Sequence, residues 1–87
     1  MSLTKAAPSY AGTFENELYG TLTLRAEGDK LRAAMGRLSA ELEPYTEPET
    51  ARVELIPGTG EVLRFELDEN GRAVAVKYHD EVFRRVK

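Results

Sequence analysis

Ser2-Leu-Thr-Lys5 has the S-x-x-K spacing in which a lysine one helical turn away activates a serine nucleophile. That chemistry needs a buried, rigid site. Here the pair stands before any apolar pattern begins and the later S-x-N and K-T-G elements are missing, so it is a chance match. His79 is the single histidine. A general base or zinc ligand needs partners that orient its ring. Asp80 and Glu81 follow it directly, but neighbours on an extended chain point to opposite faces. It reads as a solvated turn residue. Glu15, Glu17, Glu41, Glu43, Glu47 and Glu49 fall mostly at outward positions, a wet surface and not the facing pair of a glycosidase. Pro57-Gly-Thr-Gly60 lacks the lysine of a phosphate-binding loop and leads into a strand, so it is a turn. No catalytic residue, metal ligand or cofactor site is expected.

Asn16 carries more information, because alternation places its amide among Phe14, Leu18 and Leu22. A buried amide needs partners. Arg85, two residues after Phe83, reaches it if Phe83 faces inward. Such a bond either ties the first strand to the last or contacts a ligand. The four tyrosines, Tyr10, Tyr19, Tyr45 and Tyr78, each join an apolar ring to a polar tip. Tyr45 joins Asn16 and Arg85 as a candidate for ligand or structural bonding. Tyr19, Ile56 and whichever of Val82 or Phe83 faces outward are the candidates for an interface.

The stretch from Tyr10 to Arg25 positions these residues. Tyr10, Gly12, Phe14, Asn16, Leu18, Gly20, Leu22 and Leu24 form one alternate set, mostly apolar or glycine. The other set is mostly charged or hydroxylic. A period of two is what a strand with one buried and one wet face requires. Strands are predicted at about 11–17 and 21–27, with a bend at Gly20, then at Lys30 to Met35 after the Gly28-Asp29 turn. A fourth, about Leu38 to Pro44, should turn Leu38, Ala40 and Leu42 inward. The run Lys30 to Leu42 also fits a helical stripe. Gly36 interrupts it and no N-cap box precedes it, which favours strands. Strand five, about Ala51 to Ile56, buries Ala51, Val53 and Leu55. Strand six, Glu61 to Asp68, buries Leu63, Phe65 and Leu67. Asp68-Glu-Asn-Gly71 is a hairpin turn, Asn-Gly tolerating positive φ. Strand seven, Ala73 to Tyr78, buries Val74 and Val76, and strand eight takes Val82 to Val86.

About eight short antiparallel strands argue for an all-β meander that removes its edges by closing into a single small barrel. Eight strands leave an interior that side chains fill or that holds one small ligand. Residues 1–9 are expected as a frayed lead-in and 10–87 as the barrel domain. Met1-Ser-Leu3 has the look of a cloning leader.

Eighty-seven residues make one domain with a modest core. A net charge of −3 with scattered Lys and Arg gives no basic face for nucleic acid. No apolar run approaches the roughly 18 residues of a membrane-spanning helix. With no cysteine, disulfides and thiolate chemistry are excluded, and the compartment stays open. Residues 1–8 lack the apolar segment of a secretory signal.

Tyr10-Ala-Gly-Thr-Phe-Glu-Asn16 followed by Leu18-Tyr19-Gly20 resembles the opening signature of a small lipocalin-like domain of uncharacterised function. That domain is found at the C-terminal end of beta-lactamase-related serine hydrolases of the class C and CubicO-like group. The likeness continues through Gly28-Asp-Lys-Leu31, Leu42-Glu-Pro-Tyr45, Phe65-Glu-Leu-Asp68 with Gly71, and Phe83-Arg-Arg-Val86. The acidic segment Thr46 to Thr50 departs from the aromatic-rich stretch the family leads one to expect. The resemblance implies a non-catalytic accessory domain that packs on, caps or oligomerises the hydrolase. The partner would be the catalytic domain or a second copy. The alternative is a miniature lipocalin-like barrel for a small apolar or amphipathic ligand.

Overall fold

The computed structural model describes residues 3–55, 60–78 and 80–86. A 3₁₀ turn (Ala7–Ser9) precedes nine strands: β1 Gly12–Asn16, β2 Gly20–Glu27, β3 Lys30–Met35, β4 Leu38–Glu41, β5 Glu43–Pro44, β6 Thr50–Val53, β7 Glu61–Leu67, β8 Ala73–Tyr78 and β9 Glu81–Arg85. All pairings are antiparallel, in the order β4-β3-β2-β1-β9-β8-β7-β6-β5. Laid flat, nine strands would span about 38 Å. The molecule measures 29 × 25 × 23 Å, so the sheet is rolled. Its two edges, β4 and β5, are consecutive in the chain, with only Leu42 between them. The result is a nearly closed antiparallel β-barrel.

The expected strand from Leu38 to Pro44 is therefore divided. Its first half pairs with β3 and its second half with β6. The change of partner falls at Leu42, whose N–H still donates to Leu31 O at 2.8 Å. A strand has two hydrogen-bonding edges, and the stagger of a barrel lets one strand use each in turn.

Tight turns follow the glycines. Gly28 and Gly36 each stand first in a two-residue hairpin loop with positive φ, while Asp29 and Arg37 keep negative φ. This is the primed-turn pattern that matches strand twist. In the loop after β7, the expected weight on Asn-Gly is shifted to Asp68. Its carboxylate accepts the N–H groups of Asn70 (2.9 Å) and Arg72 (3.0 Å). The N–H of Arg72, then that of Asn70, holds this carboxyl below its ordinary value.

One core fills the barrel: Phe14, Leu22, Leu24, Leu31, Ala33, Val53, Leu63, Phe65, Val76 and Phe83 are all buried. Three inward assignments are corrected. Val74 is 40% exposed, because the β7–β8 register slips by one residue between Glu66 and Leu67. Ala73 opposes Leu67 and Ala75 opposes Glu66, so Val74 is the extra residue. Such a bulge flips every side chain beyond it. Leu18 is 72% exposed, since it sits in the β1–β2 turn where strand parity no longer applies. Leu38 is exposed at the start of β4, on the open edge of the sheet.

Antiparallel strands alternate the loops between two ends of the barrel. The chain enters at the end that carries the turns at 28–29, 45–49 and 68–72, here the lower end. Residues 3–9, expected to fray, are hydrogen-bonded there. Leu3 packs against the core and Ala7 is buried. Thr4 donates to the Glu49 carboxylate through both Oγ1 and N, and Tyr10 OH donates to Glu49 Oε1 at 2.5 Å. The wholly buried Tyr10 also meets Phe65 edge-on at 4.9 Å. Glu49 holds φ = 58°, a conformation that costs a non-glycine residue about 1 kcal/mol. The carboxylate bonds formed in that geometry offset the strain.

Candidate functional site

Asn16 ends β1 where the chain turns away from the sheet. The β1–β9 ladder pairs Phe14 with Arg85 and Glu15 with Arg84, and Val86 N–H donates to Thr13 O at 2.8 Å. Beyond Glu15 the backbone departs and the Asn16 side chain takes over. Its Nδ2 donates to Val82 O (2.9 Å) and to Glu81 Oε1 (3.1 Å). Its Oδ1 accepts the N–H groups of Leu18 (2.8 Å) and Tyr19 (2.9 Å). An amide has two donors and two acceptor sites. All four are used within the chain, joining the first strand to the last and shaping the hairpin turn.

The partner expected for Asn16 is corrected. Arg85 opposes Phe14, two residues back along β1 from Asn16, and so shares the inward face of Phe14. Its Nε donates to Ala73 O, and its guanidinium lies 4.8 Å from the Phe14 ring centroid. Burial lowers its pKa, the charge of Arg72 adds to that, and Asp68 opposes it. Tyr45 follows β5, exposed at the lower end. Asn16 lies at the upper end, so these three candidates do not converge on one site.

The interface candidates divide in the same way. Phe83 is wholly buried, and Val82 is the half-exposed member of the pair. Tyr19, 44% exposed, stacks on Phe83 at 6.2 Å, and Tyr78 meets Phe83 edge-on at 6.3 Å. Tyr78 OH donates to Glu61 Oε1 at 2.8 Å; burial and that bond raise its pKa. Leu18 and Val82 line one shallow depression with Glu15, Glu17, Glu81 and Arg84 around them. Leu18 and Val82 are thus side by side at the upper end. Ile56, His79, Ser2 of the S-x-x-K match and the turn residues 57–59 lie outside the described residues.

Sequence reasoning missed a second feature. Where strand 38–44 changes partner, a groove of about 340 Å³ opens at the lower end. Leu3, Leu31, Leu42, Pro44 and Ala51 form its apolar lining. Leu31, Leu42 and Ala51 belong to the core, so the groove reaches through the wall. Asp29, Lys30, Glu41 and Glu43 supply its charge. The one signal in the sequence is Pro44, whose missing N–H ends any ladder in a strand.

Among the described residues no cluster of three or more His, Cys, Asp or Glu is placed to hold a metal ion. Nor, among the described residues, is any helix long and apolar enough to cross a membrane. No family model matches the chain, and comparison with curated proteins and with solved structures gives no match either.

Proposed function

We propose that this barrel is a non-catalytic accessory domain that docks on a protein partner through the tip of the β1–β2 hairpin. The observation that supports it is the Leu18–Val82 depression, at the opposite end of the barrel from the groove and outside a buried apolar core. A side chain as exposed as Leu18 means little alone. Val82 shares its depression, and the next residue along the hairpin, Tyr19, is also exposed, so the tip presents apolar side chains that a partner can cover. The family resemblance supplies the partner: the catalytic domain of a beta-lactamase-related serine hydrolase, with this chain as its lipocalin-like C-terminal companion. Turnover then belongs to the partner.

The test starts upstream of Met1, in the gene, where a serine hydrolase domain with an S-x-x-K helix is expected in the same frame. Titration calorimetry of this chain against that catalytic domain should give a complex, and Leu18→Ser should abolish it without lowering the melting temperature. Light scattering of the chain alone identifies a second copy as the occupant instead. An upstream frame without such a domain, or a complex indifferent to Leu18→Ser, overturns the reading.

A further inference from the structure

The groove beside Leu42 lies at the opposite end of the barrel from the hairpin tip and stands apart from the docking reading. Its lining is aliphatic and continuous with the core. Its volume of about 340 Å³ is at the small end of ligand pockets, which run from about 300 to 1,000 Å³. At roughly 30 Å³ per heavy atom it admits about ten.

The rim decides the chemistry. Lys30 Nζ lies 3.4 Å from Glu41 Oε2, so those two charges offset each other. Asp29 and Glu43 have no ion-pair partner among the described residues. Arg52, which opposes Glu43 across β5–β6, is directed to Glu54 at 2.9 Å. The rim thus carries three carboxylates and one ammonium, with Asp29 and Glu43 in no ion pair among the described residues, over an apolar floor. A second copy is the wrong occupant: the exposed knob at Leu18 is ringed by three carboxylates, Glu15, Glu17 and Glu81, against one cation, Arg84, so on balance acid would meet acid. We propose that this groove binds a small amphiphilic cation, an ammonium group on a short aliphatic tail, with the tail against Leu31, Leu42 and Ala51 and the head between Asp29 and Glu43.

The probe is hexylammonium, titrated at low ionic strength into the ¹⁵N-labelled chain, with hexanol and hexanoate as the neutral and anionic counterparts. Hexylammonium should shift the amides of Leu31, Leu42 and Ala51. It should bind about three- to tenfold tighter than hexanol, the worth of two exposed charge contacts, and hexanoate should bind most weakly. Added salt should narrow the gap. The double variant D29N/E43Q alters only exposed side chains, so its fold should be unchanged. It should bring hexylammonium down to the affinity of hexanol and leave hexanol where it was. The proposal is overturned by hexanoate or hexanol binding as well as hexylammonium, by a preference that survives D29N/E43Q, by shifts elsewhere on the barrel, or by no shifts at millimolar probe.

Discussion

The barrel has two places where its sheet must be joined, and they are built differently. At the first, β1 meets β9, strands from the two ends of the chain. The backbone ladder there is short, two residue pairs and one added hydrogen bond, yet the junction is tight. Phe14 and Phe83 are wholly buried beside it, Arg85 covers the Phe14 ring, and Asn16 continues the bonding where the backbone leaves. At the second, strand 38–44 passes between β3 and β6 and changes partner at Leu42. A groove remains beside the change. Joining chain ends brings a large entropic cost, which dense contacts must outweigh. A strand already continuous through the junction has no such need, so the wall there is free to open.

The sharpest way to break the comparison is to compare large-to-small substitutions at the two junctions. Phe14→Ala should cost about 3–5 kcal/mol, measured by denaturant unfolding. Leu42→Ala should lie near the low end of its class, about 2 kcal/mol, because the groove already deprives Leu42 of neighbours on one side. Equal losses would mean that the second junction is packed as well as the first.

Asn16→Ala comes next. It removes a fully bonded amide and strands the Val82 carbonyl, for an expected loss of about 1–3 kcal/mol. The variant should also loosen the hairpin tip, seen as faster amide exchange at Leu18 and Tyr19, whose N–H groups lose their acceptor. Unchanged exchange would show that the turn holds without its side-chain acceptor.

The lower end, beside the groove, should respond to acid. Burial raises the Glu49 carboxyl, but hydrogen bonds from Thr4 and Tyr10 and the charge of Lys5 outweigh it and the net shift is downward. The folded state then binds fewer protons than the unfolded one as pH falls below the ordinary carboxylate value of 4.5. Stability is present above that value and is lost as pH falls through the depressed one. Asp68 acts in the same direction. The melting temperature of Glu49→Gln should therefore fall less steeply than that of the wild type as pH drops through this range. Identical slopes would remove Glu49 from the account.

The smallest effect is expected at Glu43→Gln, within about 0.5 kcal/mol of the wild type. A larger loss would make Glu43 part of the junction and not merely its rim.

Local pattern decided most of the architecture. Alternation from Tyr10 to Arg25 and from Glu61 to Leu67 places strands and chooses their buried faces, because side chains on a strand alternate whatever lies across from them. Gly28 and Gly36 sit where the hairpin geometry needs positive φ, which is a property of the residue and not of its surroundings. Three things were decided only by the tertiary structure. The bulge at Val74 depends on the register of β8 against β7, and parity within one strand carries no information on its partner's register. The bond of Asn16 to Val82 and not to Arg85 depends on where β1 leaves β9. The split at Leu42, and with it the groove, depends on the stagger around the whole barrel. Stagger is a condition on all the strands together, so no single stretch of sequence records it.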